Sequence, residues 1–306
     1  VTAADGRTLL PHFLTARDGG ERALDVVRRG NERVLRARLA DALFYWEFDQ
    51  RAGPDDQAAR LGAVTWLEGY GSVLDKTRRL ARLVGELWEL GLGDGRPLPS
   101  EATRAAVLSK FDLVSEMIKD GKEFTRLEGA IGAHYARRAG EPEAVARAIE
   151  RHYLPRGAAD ELPGDPVSTV LAVADRLDTL AGCWLAGFVP TGAKDPYALR
   201  RHALAVLRIV LEAGARVRLS RLLERALAGF ADRTAPERLA AAAGELGDFV
   251  RTRLAGHLVE SLGHAPELVR ATLSVHGDDP VDLVAWIQAL SGFRDRPDFQ
   301  LLATGF

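Results

Sequence analysis

The chain has 306 residues, of which 47% are hydrophobic and 27% are charged, and its formal net charge is −2. These values are ordinary for a soluble globular protein of about two domains. The near-zero net charge excludes a protein that coats nucleic acid with a surface that is basic throughout. It is compatible with a local basic patch. The single cysteine, Cys183, excludes an internal disulfide and a cysteine zinc cluster, and it fits a reducing cytoplasm. No apolar run reaches membrane-spanning length, so we expect a cytoplasmic protein without a membrane partner.

The order of sequence patterns predicts an all-α fold with a short β element at the start. In residues 1–17 the run TLLPHFLTAR follows an Asp-Gly turn and contains a proline, which predicts an edge strand. Helical spacing of apolar residues begins near Asn31 and returns, with breaks, to the end of the chain. The helices are predicted near 31–49, 57–90, 100–119, 124–138, 142–154, 166–187, 196–212, 219–230, 235–262, 265–275 and 280–291.

Capping residues mark several of these helix starts. An Asp-Pro pair occurs at 165–166, 195–196 and 279–280. The aspartate can cap a helix and the proline suits its first turn. Thr234 and Glu237 have the spacing of a capping box.

The helix predicted after Asp195-Pro196 has one apolar side and one cationic side. Leu199, Ala203, Val206 and Val210 repeat at helical spacing. The cationic side has two interpretations: a solvated face with an Arg208–Glu212 ion pair, or a surface that contacts RNA phosphates. A second arginine cluster lies early in the chain. The candidate RNA-contacting residues are Lys194, Arg200, Arg201 and Arg208, with Arg36 and Arg38 as weaker candidates.

A metal phosphohydrolase of the HD type is the enzymatic alternative. Such a site needs histidine and aspartate ligands from several helices around a metal that generates hydroxide. Lys110-Phe111-Asp112 is predicted in mid-helix where a His-Asp pair would stand, and Asp175 is placed to be the final ligand. The chain has no histidine between His12 and His134, so we predict no metal and no catalytic residue at these positions.

Several stretches, read together, resemble the β subunit of bacterial heterotetrameric glycyl-tRNA synthetase. The match is specific as a set and covers residues 1–210 closely, with the remainder matching more loosely. The stretches are LLPHF (9–13), RRGNERVLRARLADALFYWEFD (28–49), GSVLDKTRRLA (71–81), LSKFDLVSEM (108–117), EGAIGAHYARRAGE (128–141), HYLPRGAADELPGDP (152–166), ADRLDTLAG (174–182) and PTGAKDPYALRRHALAVLRI (190–209).

The resemblance implies a mostly helical, tRNA-binding subunit. Its partners are glycine tRNA and an α subunit, which uses ATP and magnesium for catalysis. The resemblance also implies that residues 1–215 form an HD-like domain whose metal ligands have degenerated, with 1–25 as an extended lead-in. Residues 216–306 would then be a helical body leading toward an anticodon-binding module, and the chain would be part of a longer protein.

We therefore predict a tRNA-binding, non-catalytic portion of a glycine–tRNA ligase β subunit, with no cofactor of its own and no DNA or membrane partner. Two alternatives stay open. One is a scaffold that only holds the subunits together, and the other is a divergent metal phosphohydrolase that uses Asp112 and Asp175.

Overall fold

The computed structural model describes residues 1–5, 8–119 and 124–294. Helices make up 66% of the structure, and the described residues form only two short strands. The predicted all-α class is therefore confirmed. By compactness the chain divides into two units, Val1–Glu47 and Phe48–Phe306, and each is described by itself. No helix among the described residues has both the length and the apolar character needed to cross a membrane.

The first unit contains the extended lead-in and nearly all of the long helix α1, Leu24–Asp49. The short β element predicted in residues 1–17 is present among the described residues as a single antiparallel bridge between Thr2 and Leu9, without a longer strand. Pro11 lacks an N–H for a longer ladder. Helix α1 begins seven residues before the predicted start at Asn31. Many of its large apolar side chains, including Leu39 and Phe44, are exposed.

The second unit opens with short elements where one long helix was predicted for 57–90. Helix α2 covers Pro54–Arg60 and a 3₁₀ turn covers Leu61–Ala63. Strands β1, Thr65–Leu67, and β2, Gly71–Ser72, then form an antiparallel hairpin. Gly69 in the turn and Gly71 at the start of β2 have positive φ values. This backbone conformation is incompatible with a continuous α-helix.

Most of the later helices lie close to their predicted positions. Helix α3 begins with a capping box in which Ser72 and Asp75 exchange side-chain to backbone hydrogen bonds. The helices are α3, Val73–Leu87; α4, Ser100–Leu108; α5, Glu116–Lys119; α6, Ala130–Arg138; α7, Glu143–Arg151; α8, Pro166–Leu185; α9, Leu199–Glu212; α10, Leu219–Ala228; α11, Pro236–Gly256; α12, Pro266–His276; and α13, Pro280–Arg294. Turns of π-helix cover Trp88–Leu92 and His257–Ser261, and 3₁₀ turns cover Phe111–Val114 and Thr125–Leu127.

The capping predictions have mixed outcomes. Asp165 caps α8 as predicted, accepting the Ser168 N–H at 3.0 Å, and Asp279 accepts the N–H groups of Val281 and Asp282. The capping box of Thr234 and Glu237 is not formed, because α11 begins at Pro236 with Ala235 as its N-cap and no side-chain hydrogen bond.

The core of the second unit is organised around α8. Only Pro166, Thr169 and Thr179 of its 20 residues escape burial, because α8 packs against α3, α4, α7, α9, α10 and α11. A helix with apolar residues on every side belongs in such a central position, and α8 also carries the buried charged residues Asp175, Arg176 and Asp178. The domain boundary near residue 215 stays a prediction.

Candidate functional site

Asp175, on the buried helix α8, lies between two lysine ammonium groups. Its Oδ2 is 3.0 Å from Lys110 Nζ and its Oδ1 is 3.0 Å from Lys76 Nζ. All three residues are less than a tenth exposed. Burial alone would raise the pKa of Asp175, but Lys110 and Lys76 outweigh it and hold the pKa well below its usual range.

One helical turn further along, Asp178 completes this buried charge cluster. Its carboxylate accepts hydrogen bonds from Lys76 Nζ at 3.0 Å and from Arg79 Nε at 2.6 Å. Burial opposes the charged form of Lys76, yet Asp175 and Asp178 together raise its pKa. A buried charge costs much unless it is paired, and here each carboxylate has at least two cationic neighbours.

His152, which the sequence analysis did not single out, belongs to the same cluster. Its Nε2 is 2.8 Å from Lys110 Nζ and its Nδ1 is 2.8 Å from the Ile149 carbonyl oxygen. The ring must then carry its proton on Nδ1 and accept from Lys110 through Nε2. Burial, together with the charge of Lys110, lowers the pKa of His152 well below its usual value. His152 ends α7, so no spacing in the sequence connects it to Asp175.

Phe111 and Asp112 lie in a 3₁₀ turn rather than in the middle of the predicted 100–119 helix. The Ser109 and Ser115 hydroxyls donate to nearby backbone carbonyl oxygens, which competes with continued helix. Phe111 is fully buried. Asp112 Oδ2 accepts the Gly129 N–H at 2.7 Å, and burial raises the pKa of Asp112 to about 6.

This arrangement does not fit a metal ion. The described residues contain no group of three or more His, Cys, Asp or Glu side chains arranged to hold one. A metal ion would neutralise the negative charge of Asp175, but the ammonium groups of Lys76 and Lys110 already neutralise it.

The cationic side predicted for the helix after Asp195-Pro196 is present on α9. The helix begins at Leu199 rather than at Pro196, yet the Asp195 carboxylate still accepts the N–H groups of Leu199 and Arg200. Lys194 and Arg201 are exposed and Arg200 is partly exposed. The buried stripe of Leu199, Ala203, Val206 and Val210 is confirmed.

Arg208 is held by the protein itself. Its guanidinium donates to the Gly157 and Asp160 carbonyl oxygens at 3.1 and 3.2 Å and lies 3.5 Å from Glu212. Arg208 therefore anchors the loop after α7 to α9. In the first unit, Arg36 and Arg38 are exposed on α1.

Two grooves flank Leu204 on the surface of α9, and both include Arg201. The α11 groove has a volume of about 410 Å³ and includes Arg200, Arg253 and His257. The loop groove has a volume of about 220 Å³ and includes Arg156 and Arg208. The sequence analysis missed Arg156, Arg253 and His257 because they come from elements distant in the chain.

Comparison with known proteins decides the family. The profile described as "Glycyl-tRNA synthetase beta subunit" matches residues 1–274. The chain belongs to the glycyl-tRNA synthetase β-subunit family. The resemblance noted in the sequence is thereby confirmed.

Among relatives named glycine–tRNA ligase β subunit, the protein of Desulforapulum autotrophicum is 41% identical over 298 residues, covering 97% of this chain and 42% of its own length. That of Oleidesulfovibrio alaskensis is 43% identical over 299 residues, covering 98% and 42%. That of Acidithiobacillus ferrooxidans is 42% identical over 286 residues, covering 94% and 40%. The chain thus spans about two fifths of the length of these relatives.

Proposed function

We propose that this chain is a tRNA-binding, non-catalytic portion of a glycine–tRNA ligase β subunit. It supports ATP-dependent glycylation of tRNA in the cytoplasm, with ATP and magnesium bound by the α subunit. The observation that carries the proposal is the cationic surface of α9, where Arg201 lines two adjoining grooves and Arg200 lines one of them. Cations clustered on one face of a chain of near-neutral net charge are the electrostatic footprint of nucleic-acid binding.

The buried charge cluster supports the non-catalytic part of the proposal. Acid–base catalysis needs a group that reaches the substrate, whereas Asp175 and Asp178 are buried and paired with lysine and arginine. We regard the fold around them as a degenerate HD-like domain. The positions compared with an HD metal site are Lys110, Phe111, Asp112 and Asp175, and of these Lys110 Nζ and Asp175 Oδ2 lie 3.0 Å apart.

Binding of glycine tRNA across a salt series tests the proposal. A Lys194→Ala/Arg200→Ala/Arg201→Ala variant removes three exposed or partly exposed cations from α9 and the turn that precedes it. We expect wild type to bind with a steep salt dependence, and the variant to bind at least tenfold more weakly with a log–log salt slope lower by about three. The charge-matched control carries Arg78→Ala, Arg221→Ala and Arg270→Ala on exposed faces of α3, α10 and α12, and should retain most of the affinity. Absence of RNA binding by wild type would overturn the proposal.

A scaffold that contacts the α subunit without touching RNA is the second candidate. The exposed apolar side chains of α1, such as Leu39, Leu43 and Phe44, favour it, because exposed apolar patches mark protein contacts. This candidate predicts association with the α subunit and no salt-dependent binding of tRNA.

A further inference from the structure

Two residues that line the α11 groove, Arg253 and His257, each have a polar nitrogen atom that the protein shields but does not pair. In the part of the chain that the structure describes, Arg253 Nε and His257 Nδ1 have almost no solvent-accessible surface and no hydrogen-bond partner. A buried polar atom without a partner has lost its hydration and gained no hydrogen bond in exchange, which destabilises the fold. Such atoms are rare enough in folded proteins to require an explanation, and a ligand that supplies the acceptor is one.

The backbone places His257 at an irregularity, one turn after Arg253. Helix α11 ends at Gly256, and the chain continues as a π-helical turn from His257 to Ser261. A π turn fits one extra residue into a turn and is frequent at functional sites. It places His257 at the entrance to this turn, in the groove opposite Arg200 and Arg201 of α9.

The charges around the groove favour an anion. Arg200, Arg201 and Arg253 line it together with a single carboxylate, Glu260. Burial lowers the pKa of His257, and the positive charge of Arg208 lowers it further. The negative charge of Glu212 acts in the opposite direction. The imidazole therefore stays neutral in a cationic environment and can act as a hydrogen-bond donor through one ring nitrogen.

We propose that the α11 groove binds one phosphate group of the RNA backbone, with Arg253 and His257 as donors and Arg200 and Arg201 as the covering cations. This inference rests on the function proposed above and adds a defined subsite to it. A strand of RNA fits better than an isolated carboxylate, because the α11 groove adjoins the loop groove through Arg201 and Leu204. The loop groove is lined by two further cations, Arg156 and Arg208. Successive phosphates of one strand can therefore contact cations in both grooves.

Two single variants test the subsite with fluorescently labelled glycine tRNA and the full chain. Arg253→Gln removes a charged donor, so we expect about tenfold weaker binding and a salt slope lower by about one. His257→Gln replaces the fixed ring donor with a freely rotating amide of the same neutral charge, so we expect about fivefold weaker binding with the slope unchanged. Arg251→Gln is the matched control, because Arg251 is exposed on the same helix and pairs with Asp248.

The outcomes separate the subsite from the proposed function. If Arg253→Gln and His257→Gln bind like wild type while the triple variant of α9 binds weakly, the subsite is wrong and RNA binding by α9 stands. If wild type binds no tRNA at any salt concentration, both proposals fall. If polyglutamate of equal charge displaces tRNA from wild type but not from Arg253→Gln, the groove binds protein carboxylates and the RNA subsite is overturned. Should Arg253→Gln fail to fold by circular dichroism, His257→Gln decides the question.

Discussion

Lys110 connects two parts of the buried charge cluster, since its ammonium group contacts both Asp175 Oδ2 and His152 Nε2. It also lies 3.9 Å from the centroid of the Tyr153 ring. Loss of this single cation would leave His152 without the partner of its Nε2 and Asp175 with fewer counter-charges. Removing one partner of a buried ion pair is more damaging than never having formed the pair.

We therefore expect Lys110→Met to lower the free energy of unfolding by about 3 kcal/mol. Lys119→Met is the control, because Lys119 is exposed and pairs with Glu116 on the surface, and its loss should cost less than about 1 kcal/mol. Urea denaturation followed by circular dichroism measures both. Equal costs for the two variants would show that the cluster contributes no more than a surface pair.

Individual residues of the cluster were only partly predictable. Lys110 and Asp175 were found because they lie in stretches placed like the ligand positions of an HD-type metal site. His152 was not found in this way. Its role depends on the packing of the end of α7 against α8, and it lies 23 positions before Asp175 in the chain. The spacing of Arg208 placed it on the correct helix. The Gly157 and Asp160 carbonyl oxygens that accept its hydrogen bonds come from a loop and could not be predicted from that spacing.

At the scale of elements, the hairpin of β1 and β2 lies against α8 through a glycine. A Cβ atom at Gly182 would lie 2.7 Å from Trp66 Cζ3 and 3.0 Å from Phe230 Cζ. Trp66 and Phe230 are themselves stacked, with ring centroids 6.0 Å apart. Gly182 therefore sets how closely the aromatic pair approaches the central helix.

Two glycine-to-alanine changes in helices should have opposite effects. Gly182→Ala should destabilise the chain by about 1–3 kcal/mol, because overpacking outweighs the better helix propensity of alanine. Gly244→Ala in α11 meets nothing within 4 Å and should stabilise the chain by about 0.5–1 kcal/mol. Thermal unfolding of both variants beside wild type measures the difference. A stabilising Gly182→Ala would contradict the close packing.

Sequence patterns predicted the elements well where local signals dominate. The Asp165-Pro166 and Asp279-Pro280 starts carry their own caps, so α8 and α13 were placed within a few residues. Strands β1 and β2 were missed because Thr65–Leu67 and Gly71–Ser72 are too short to show alternation. Their pairing depends on the turn between them and on Trp66 finding Gly182 and Phe230. The same non-local packing brings Arg253 to α9, which is why the α11 groove could not be predicted.

For the whole molecule, buried histidines should make the fold sensitive to acid. Burial, with the charge of Arg176 added, lowers the pKa of the partly buried His202 to about 4, although Asp175 opposes the shift. The unfolded chain takes up this proton near pH 6.5 and the folded chain only near pH 4. Stability from His202 is therefore present above pH 6.5 and is lost as the pH falls through that interval.

We expect His202→Asn to reduce the loss of unfolding free energy between pH 7 and pH 5 by about 2 kcal/mol relative to wild type. The difference between the two proteins isolates His202 from other groups, including Asp112, whose raised pKa acts in the opposite direction. His134→Asn on the exposed side of α6 is the matched control and should follow wild type. Parallel curves for His202→Asn and wild type would rule out the shift.

The lysines at the centre of the second unit have a consequence for how the protein is made. A cation that is part of a side chain is synthesised together with the carboxylate that it pairs with, in fixed stoichiometry. It cannot be withdrawn by a chelator, replaced by a competing ion, or be in short supply when the cell is starved of zinc or manganese. The charges of Lys76, Lys110, Asp175 and Asp178 are balanced as soon as the chain folds, with no loading step.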